Sequence, residues 1–171
     1  MNDTVAGTDA LFETVYARLK AIAGNRLAVA RADTLDTTAL VHELYLKIGA
    51  DDSLVFEHPS QFLTYAARAM RHLLSNRARD RLRQRAGGDW VRVTLTGATA
   101  QLSLDSAEQA IEMDEGLRRL ESVDARAARV VELLYFAGVT LEEAATALDI
   151  NRRTVDRDWR FARAFLKAEL E

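Results

Sequence analysis

Proline, the residue that most strongly interrupts a helix, occurs only once in this chain, at Pro59. Alanine, leucine and arginine, which favour helix, are abundant in the rest of the sequence. The 171 residues suffice for one medium domain or two small ones. An all-α fold is therefore expected, and apolar residues at helical spacing indicate where the helices lie.

Three helices are predicted in the first half of the chain, where they form a helical domain over residues 1–86. The first helix covers about residues 8–30 and the second about 37–49. A third helix is expected from Ser60, as its N-cap, to about residue 85, where two glycines end it.

The stretch WVRVTLTGATAQL, residues 90–102, follows these glycines. Its first apolar residues alternate with polar ones, as in a half-buried strand. A single strand without a partner cannot make a sheet. We therefore interpret residues 87–105 as an extended linker between two domains.

A second small domain of four helices is predicted over residues 106–171. Its helices cover about 107–121, about 124–136, a short stretch that ends at Leu148, and Arg152 towards Leu170. The spacings from Ser106 to Gln109 and from Thr140 to Glu143 each fit a capping box, which marks a helix start.

Residues 141–160, LEEAATALDINRRTVDRDWR, have the spacing of a helix-turn-helix. Small Ala145 allows the two helices to approach, Asp149 tolerates a left-handed turn, and Val155 packs the second helix back. The start of the second helix would then offer Arg152, Arg153, Thr154 and Arg157 to a DNA major groove. The alternative interpretation is a helical hairpin with a solvated, charged face. Two carboxylates, Asp156 and Asp158, oppose DNA binding unless they pair with the arginines at 152, 153, 160 or 163.

Charge is distributed unevenly along the chain, although the formal net charge is only −3. Residues 68–85 carry a local net charge of +6 and residues 152–167 one of +4, whereas residues 105–124 carry −5. Two basic segments separated by an acidic one indicate two contacts with a polyanion. The acidic segment is expected to face a protein partner or solvent.

The sequence offers no pattern for a catalytic, metal or cofactor site. It contains no cysteine, which excludes disulfides and thiolate metal sites. The pair His42-Glu43 would need a second histidine at position 46 to form a zinc-binding HExxH motif, and that residue is Leu46. We expect no enzyme activity, no metal and no cofactor.

No apolar run approaches the roughly 18 residues that cross a membrane, and the acidic N-terminus lacks the pattern of a signal peptide. We expect a cytoplasmic protein without a membrane partner.

Three stretches in this order resemble a bacterial sigma factor of the extracytoplasmic-function (ECF) type. DTTALVHELYLKI, residues 36–48, is similar to the polymerase-docking helix of that family. FLTYAARAMRHLLSNRARDRLR, residues 62–83, is similar to the segment that melts and reads the −10 promoter element. RVVELLYFAGVTLEEAATALDINRRTVDRDWRFARAFL, residues 129–166, is similar to the domain that reads the −35 element.

The resemblance implies a sigma factor that binds core RNA polymerase and directs promoter-specific initiation, on duplex promoter DNA and a melted non-template strand. The implied polymerase-binding residues are Asp36, Val41, Glu43, Leu44 and Lys47. The implied −10 residues are Phe56, Phe62, Tyr65, Arg68, Arg71, Arg77 and Arg79, although core packing is an alternative role for Phe62 and Tyr65. The implied −35 residues are Arg152, Arg153, Thr154, Arg157, Arg160 and Arg163.

The docking helix departs from the family pattern, in which its first turn commonly carries two further acidic residues. Thr38 and Ala39 stand at these positions. One interpretation of Thr37 and Thr38 is that they cap the helix. The other is that Thr38, or else Thr37, is phosphorylated by a Ser/Thr kinase, which would restore negative charge at the helix N-terminus. Control by an anti-sigma factor instead of a kinase stays open.

A second function compatible with the sequence is a dimeric helix-turn-helix repressor or activator. Such proteins are usually symmetric dimers that bind palindromic DNA, whereas a sigma factor should be monomeric in isolation.

Overall fold

The computed structural model describes residues 43–44, 46–48, 50–51, 53–83, 93–96 and 100–171. The described chain is mostly helical, which confirms the all-α class. Residues 43, 44 and 46–48 are helical and belong to the predicted docking helix. The predicted helix over 8–30 and the residues Asp36, Thr37, Thr38 and Val41 lie outside the described residues.

Five complete helices and two short strands follow the docking segment in the described chain. They are α1 (Pro59–Arg83), β1 (Val93–Thr96), β2 (Gln101–Leu104), α2 (Ala107–Val123), α3 (Ala125–Tyr135), α4 (Leu141–Leu148) and α5 (Arg152–Leu170). The four helices predicted in the second half of the chain correspond to α2, α3, α4 and α5.

The prediction that the segment around Val93 lacks a strand partner is wrong. β1 pairs with β2 in an antiparallel hairpin, with Val93 opposite Leu104 and Thr96 opposite Gln101. The partner strand QLSL has the same alternation, and it buries Leu104 near α2. The short strand is possible because its backbone groups are satisfied by a second strand only a few residues downstream.

The helix ends are fixed mainly by local side-chain caps. Thr140 and Glu143 form the predicted capping box at the start of α4. Ser106 caps α2 through the backbone N–H of Gln109 as predicted, but the Gln109 side chain accepts from the N–H of Asp105 instead of Ser106. α1 starts one residue before the predicted cap, because Pro59 has the backbone angle that suits a first helical turn and needs no N–H partner there.

A continuous apolar core joins all five helices. α3 lies at its centre, where Val130, Val131, Leu133 and Leu134 are completely buried. α1 packs against α2, α3 and α4 through a face that includes Phe62. The basic helix α1 therefore packs directly against helices of the second half of the chain. The division into domains at 1–86 and 106–171 with a linker at 87–105 stays a prediction.

Candidate nucleic-acid interface

The helix-turn-helix is formed by α4, the three residues Asp149–Ile150–Asn151, and α5. Asp149 adopts the predicted left-handed conformation, with φ 52° and ψ 47°. The N–H of Ile150 donates to the carbonyl oxygen of Ala145 at 3.0 Å, which closes the end of α4. Asn151 then caps α5 by accepting from the backbone N–H of Thr154 at 2.9 Å. This tight connection fixes the direction in which α5 leaves the turn.

The inner face of α5 is apolar, and it carries the predicted stripe. Val155, Trp159, Ala162 and Leu166 are buried against the rest of the core. The Trp159 ring also contacts the ring of Tyr135 on α3, with 5.2 Å between their centroids. Burial of this stripe turns the opposite face of α5 towards solvent.

The outer face of α5 is basic. Six basic side chains are exposed on it: Arg152, Arg153, Arg157, Arg160, Arg163 and Lys167. Three of these arginines have acidic partners: Arg152 pairs with Glu142 at 2.6 Å, Arg160 with Asp156 at 2.7 Å, and Arg157 lies 3.7 Å from Asp158. Such exposed pairs are weak, so a phosphate group can replace the carboxylate. Thr154 is less accessible, because it is half-buried and its hydroxyl donates to the Asn151 side chain.

The two carboxylates on α5 have different environments. Asp156 pairs with Arg160, one of the partners expected from the sequence. Asp158 is only 3% exposed and is bound by Arg126 of α3, whose Nε and Nη2 donate to it at 2.5 and 3.1 Å. These hydrogen bonds, together with the negative charge of Asp158, raise the pKa of Arg126. Asp158 therefore points into the protein and does not oppose a polyanion at the outer face of α5.

Arg126 is a residue that sequence reasoning missed. It lies 32 positions before its partner, and no local pattern links the two. The only signal in the sequence was that a carboxylate stands on a helix that is otherwise expected to bind DNA and therefore needs a partner.

Arg71 of α1, an expected −10 residue, lies in the interior of the protein and is 2% exposed. Its Nε donates to Asp114 Oδ1 of α2 at 2.9 Å, and its Nη1 donates to Glu132 Oε1 of α3 at 2.6 Å. Its Nη2 donates to the backbone oxygen of Asp114 at 3.1 Å. All three nitrogens of the guanidinium are thus engaged, and in this conformation Arg71 has no access to DNA.

The other expected −10 arginines are also paired with acidic side chains. Arg68 pairs with Glu121 at 2.9 Å, Arg79 with Asp114 at 3.0 Å, and Arg77 with Glu43 of the docking segment at 2.6 Å. The acidic segment 105–124 was expected to face a partner or solvent. Asp114 and Glu121 instead contact α1, across 35 to 53 positions of the chain.

The expected −10 aromatic residues form one cluster at the start of α1. Phe56 contacts the rings of Phe62 and Tyr65 at centroid distances of 5.2 and 5.5 Å. Phe62 is completely buried, which agrees with a packing role, while Phe56 and Tyr65 are half-buried. Burial, and secondarily the negative charge of Asp51, raises the pKa of the Tyr65 hydroxyl. A base could reach only the outer edge of this cluster.

Among the expected polymerase-binding residues in the described chain, Leu44 is completely buried in the core. Glu43 is half-buried and paired with Arg77, and Lys47 is exposed. Their neighbour Leu46, which the sequence analysis did not assign to docking, has 57% of its surface exposed. The accessible part of this segment thus combines one apolar and one basic side chain.

Within the described ranges, no group of His, Asp or Glu residues could hold a metal ion. Over the same residues, no helix is both long and apolar enough to span a membrane.

Comparison with known proteins identifies one family. The model of the ECF sigma factor family matches residues 3–171, which is nearly the whole chain. No curated protein and no solved structure matches the sequence.

Proposed function

Since the chain belongs to the ECF sigma factor family, we propose that its two basic helices, α1 and α5, contact different parts of a promoter. A sigma factor of this family binds RNA polymerase and DNA and directs transcription initiation. Core polymerase and promoter DNA are accordingly its partners. Because both are cytoplasmic in bacteria, we place the protein in the cytoplasm.

The observation that carries the proposal is the exposed basic face of α5, at the end of a tightly capped helix-turn-helix. We assign recognition of the −35 element to this face. Arg153 and Arg157 lie near the start of α5 and are exposed. Arginine at such a position can bond a guanine with two hydrogen bonds or neutralise a phosphate. The burial of Asp158 under Arg126 supports this role, because it removes one negative charge from the outer face.

We assign the −10 element to α1 and the aromatic cluster before it. Melted DNA is held by a basic groove together with aromatic surfaces on which bases stack. Phe56 and Tyr65 provide the partly accessible aromatic edge, and Arg68, Arg77 and Arg79 provide positive charge. Polymerase docking is assigned to the segment around Glu43, with Leu46 and Lys47 as its accessible side chains.

The assignment of α5 is tested by Arg153→Ala and Arg157→Ala in transcription reactions with core polymerase. Both variants should reduce initiation at promoters that depend on a −35 element by about tenfold each, since one lost bidentate base contact costs about 1–3 kcal/mol. Binding of the variants to core polymerase should be unchanged. Arg129→Ala, at an exposed arginine of α3, is the matched control and should transcribe like the wild type.

Loss of polymerase binding in the Arg153 or Arg157 variant would contradict the assignment. The converse experiment changes Lys47 to glutamate, which should weaken polymerase binding and leave binding of duplex DNA intact. Lys47 is preferable to Leu44 for this purpose, because a change at the buried Leu44 would act first on packing.

A dimeric repressor or activator is the competing function. Light scattering on the purified chain distinguishes the two, because a sigma factor should be monomeric and should comigrate with core polymerase. A stable dimer that binds a palindrome and ignores core polymerase would favour the competing function.

We also propose that Thr38, or else Thr37, is phosphorylated to complete the docking helix. Both residues lie outside the described residues, and the support is that Thr38 stands where the family commonly has an acidic residue. Phosphate would add about −1.5 to −2 charge at a helix N-terminus. Thr38→Glu should bind core polymerase more tightly than Thr38→Ala. If Thr38→Ala and Thr37→Ala transcribe like the wild type in the presence of the kinase, docking is independent of phosphorylation and the threonines serve as caps.

A further inference from the structure

A buried ion cluster joins α1 to the second half of the chain. At its centre, the guanidinium of Arg71 is enclosed by the carboxylates of Asp114 on α2 and Glu132 on α3, and all three side chains are at most 3% exposed. We call these three residues the buried cluster. It contains one positive and two negative charges, so it is not electrically balanced by itself.

Positive charges at the rim complete the cluster. Arg79 and Arg118 both pair with Asp114, at 3.0 and 3.1 Å. Arg68 pairs with Glu121, which also lies 3.9 Å from Arg71. Three of the four arginines in this arrangement belong to α1, while all three acids belong to α2 and α3. The ion pairs thus act chiefly between α1 and the helices on which it is seated.

Such a cluster holds one specific arrangement of helices. Burial of charges is costly, and the cost is recovered only when the partners and their hydrogen bonds are in place. Here Asp114 receives hydrogen bonds from Arg71 and Arg79, and Arg71 uses all three of its nitrogens. If α1 separates from α2 and α3, each of these groups becomes hydrated, so separation does not leave an unpaired buried charge. The cluster therefore stabilises the arrangement in which α1 packs on α2 and α3. This packing is reversible, because separation leaves no buried charge without a partner.

The arginines in this arrangement are the same ones that α1 would offer to DNA. Carboxylates of Asp114, Glu121 and Glu132 occupy the positions that phosphate oxygens would take around Arg68, Arg71 and Arg79. Carboxylate and phosphate both bind guanidinium through paired oxygens, so they compete for the same donors. With α1 packed on α2 and α3, the buried Arg71 cannot reach a nucleic acid, and the partly exposed Arg68 and Arg79 are held by carboxylates.

We propose that Asp114, Glu121 and Glu132 form an autoinhibitory latch, which mimics the phosphates of DNA and holds the −10 helix α1 in a closed, DNA-excluding state. The proposal rests on the assignment of α1 to the −10 element. In the closed state the outer face of α5 stays exposed, so the latch blocks one promoter contact and leaves the other available. Opening the latch exposes Arg71 and frees Arg68 and Arg79 from their carboxylate partners.

The latch is tested with the double variant Asp114→Asn/Glu132→Gln, which removes two charges without changing side-chain shape. The measurement is the affinity of the full chain for a fluorescent single-stranded DNA of mixed sequence at fixed salt. Only the open fraction binds through α1, so a latch that keeps about 90–99% of the molecules closed lowers the affinity by about 10–100-fold. The variant should gain affinity by that factor.

The matched control is Glu112→Gln/Glu115→Gln. Both residues are exposed on α2, the same helix as Asp114, and the control changes the net charge of the chain by the same amount. A general electrostatic effect would raise the DNA affinity of both double variants equally. A latch predicts that the gain is confined to Asp114→Asn/Glu132→Gln.

Opening is measured without DNA by energy transfer between two dyes. The chain has no cysteine, so the substitutions Asn76→Cys on α1 and Ser122→Cys on α2 provide two unique labelling positions. Both residues are exposed, and neither is assigned to DNA or polymerase binding. Transfer efficiency should fall in the Asp114→Asn/Glu132→Gln background and stay unchanged in the control background.

A third variant covers the case in which the double variant does not fold. Glu121→Gln acts at the rim, where the side chain is 32% exposed, and it leaves the buried partners of Arg71 in place. Because partly exposed pairs are weaker, the expected gain in DNA affinity is about twofold to fivefold. Circular dichroism establishes that each variant is folded before it is compared.

A purely structural role for the cluster predicts loss of stability and no gain in DNA binding. Folded variants with unchanged or weaker DNA affinity and unchanged energy transfer would overturn the latch. If the wild type transcribes normally with core polymerase in that case, the latch fails while the proposed function stands. Failure of the proposed function is a different outcome. In that case the variants open and gain affinity, but neither they nor the wild type supports transcription.

Discussion

Asp158 and Arg126 illustrate how one residue pair changes what a surface can bind. A carboxylate on the helix that we propose to face DNA would repel phosphate, but Arg126 holds Asp158 in the interior with two hydrogen bonds. Asp114 illustrates the opposite use of a carboxylate, since it binds the arginines of α1 from the interior. In both cases the partner, and not the residue type, decides the role of the charge.

Removal of Arg126 should leave Asp158 buried without its main partner. We expect Arg126→Ala to lower Tm by several degrees, because an unpaired buried carboxylate retains its desolvation cost. Arg129→Ala, at an exposed arginine on the same helix, should leave Tm nearly unchanged. The double variant Arg126→Ala/Asp158→Asn should recover part of the loss. Equal Tm values for the two single variants would show that the pair contributes nothing to stability.

The pKa of Asp114 predicts how stability depends on pH. Burial alone would raise this pKa, but the charges and hydrogen bonds of Arg71 and Arg79, with the charge of Arg118, lower it below the ordinary value of 3.8. A depressed pKa means that the stabilisation is fully present above the ordinary value and is lost as pH falls through the native value. The difference in unfolding free energy between wild type and Asp114→Asn should therefore be constant near neutral pH and shrink below about pH 4.

The urea denaturation series that measures this difference should run from pH 7 to pH 3. Glu112→Gln, at an exposed position on the same helix, serves as the control and should show no comparable change. A difference that persists unchanged down to pH 3 would mean that the charge of Asp114 does not stabilise the fold.

Among the elements, the helices α2 to α5 were predictable because the sequence patterns that mark a helix are local. Apolar spacing, the Thr140 capping box and the turn residue Asp149 each act within one or two helical turns. The pairing of β1 was not predicted, because a strand depends on a partner, and here the partner is the later segment Gln101–Leu104. The contacts of Arg71 with Asp114 and Glu132 span 43 and 61 positions, and no pattern in a single sequence pairs such residues.

The turn of the helix-turn-helix provides a prediction about this local signal. Asp149 holds a left-handed conformation that costs an L-residue about 1–2 kcal/mol and glycine almost nothing. Asp149→Gly should thus raise the unfolding free energy by about 0.5–1 kcal/mol in urea denaturation. Asp149→Val should lower it, because a β-branched side chain tolerates this conformation least. A glycine variant less stable than the wild type would mean that the Asp149 side chain stabilises the turn by more than its backbone strain costs.

At the scale of the whole molecule, net charge is a poor guide to DNA binding. The chain is formally −3, yet α5 exposes a basic face while Arg68, Arg71 and Arg79 of α1 are paired with acids of α2 and α3. The acidic segment thus neutralises part of the first basic segment and leaves the second one accessible. Binding of duplex DNA by the free chain should then be governed chiefly by α5.

The salt dependence of duplex binding measures this directly. Each neutralised phosphate contributes about −0.9 to the slope of log K against log salt. Contacts by Arg153, Arg157, Arg160 and Arg163 would therefore give the free wild-type chain a slope of about −3 to −4. If Arg157 binds a phosphate, Arg157→Ala should reduce the magnitude of the slope by about one, while Arg129→Ala leaves it unchanged. A wild-type slope steeper than about −5.4, the value for phosphate contacts by all six basic side chains of α5, would indicate that α1 already binds DNA in the free chain.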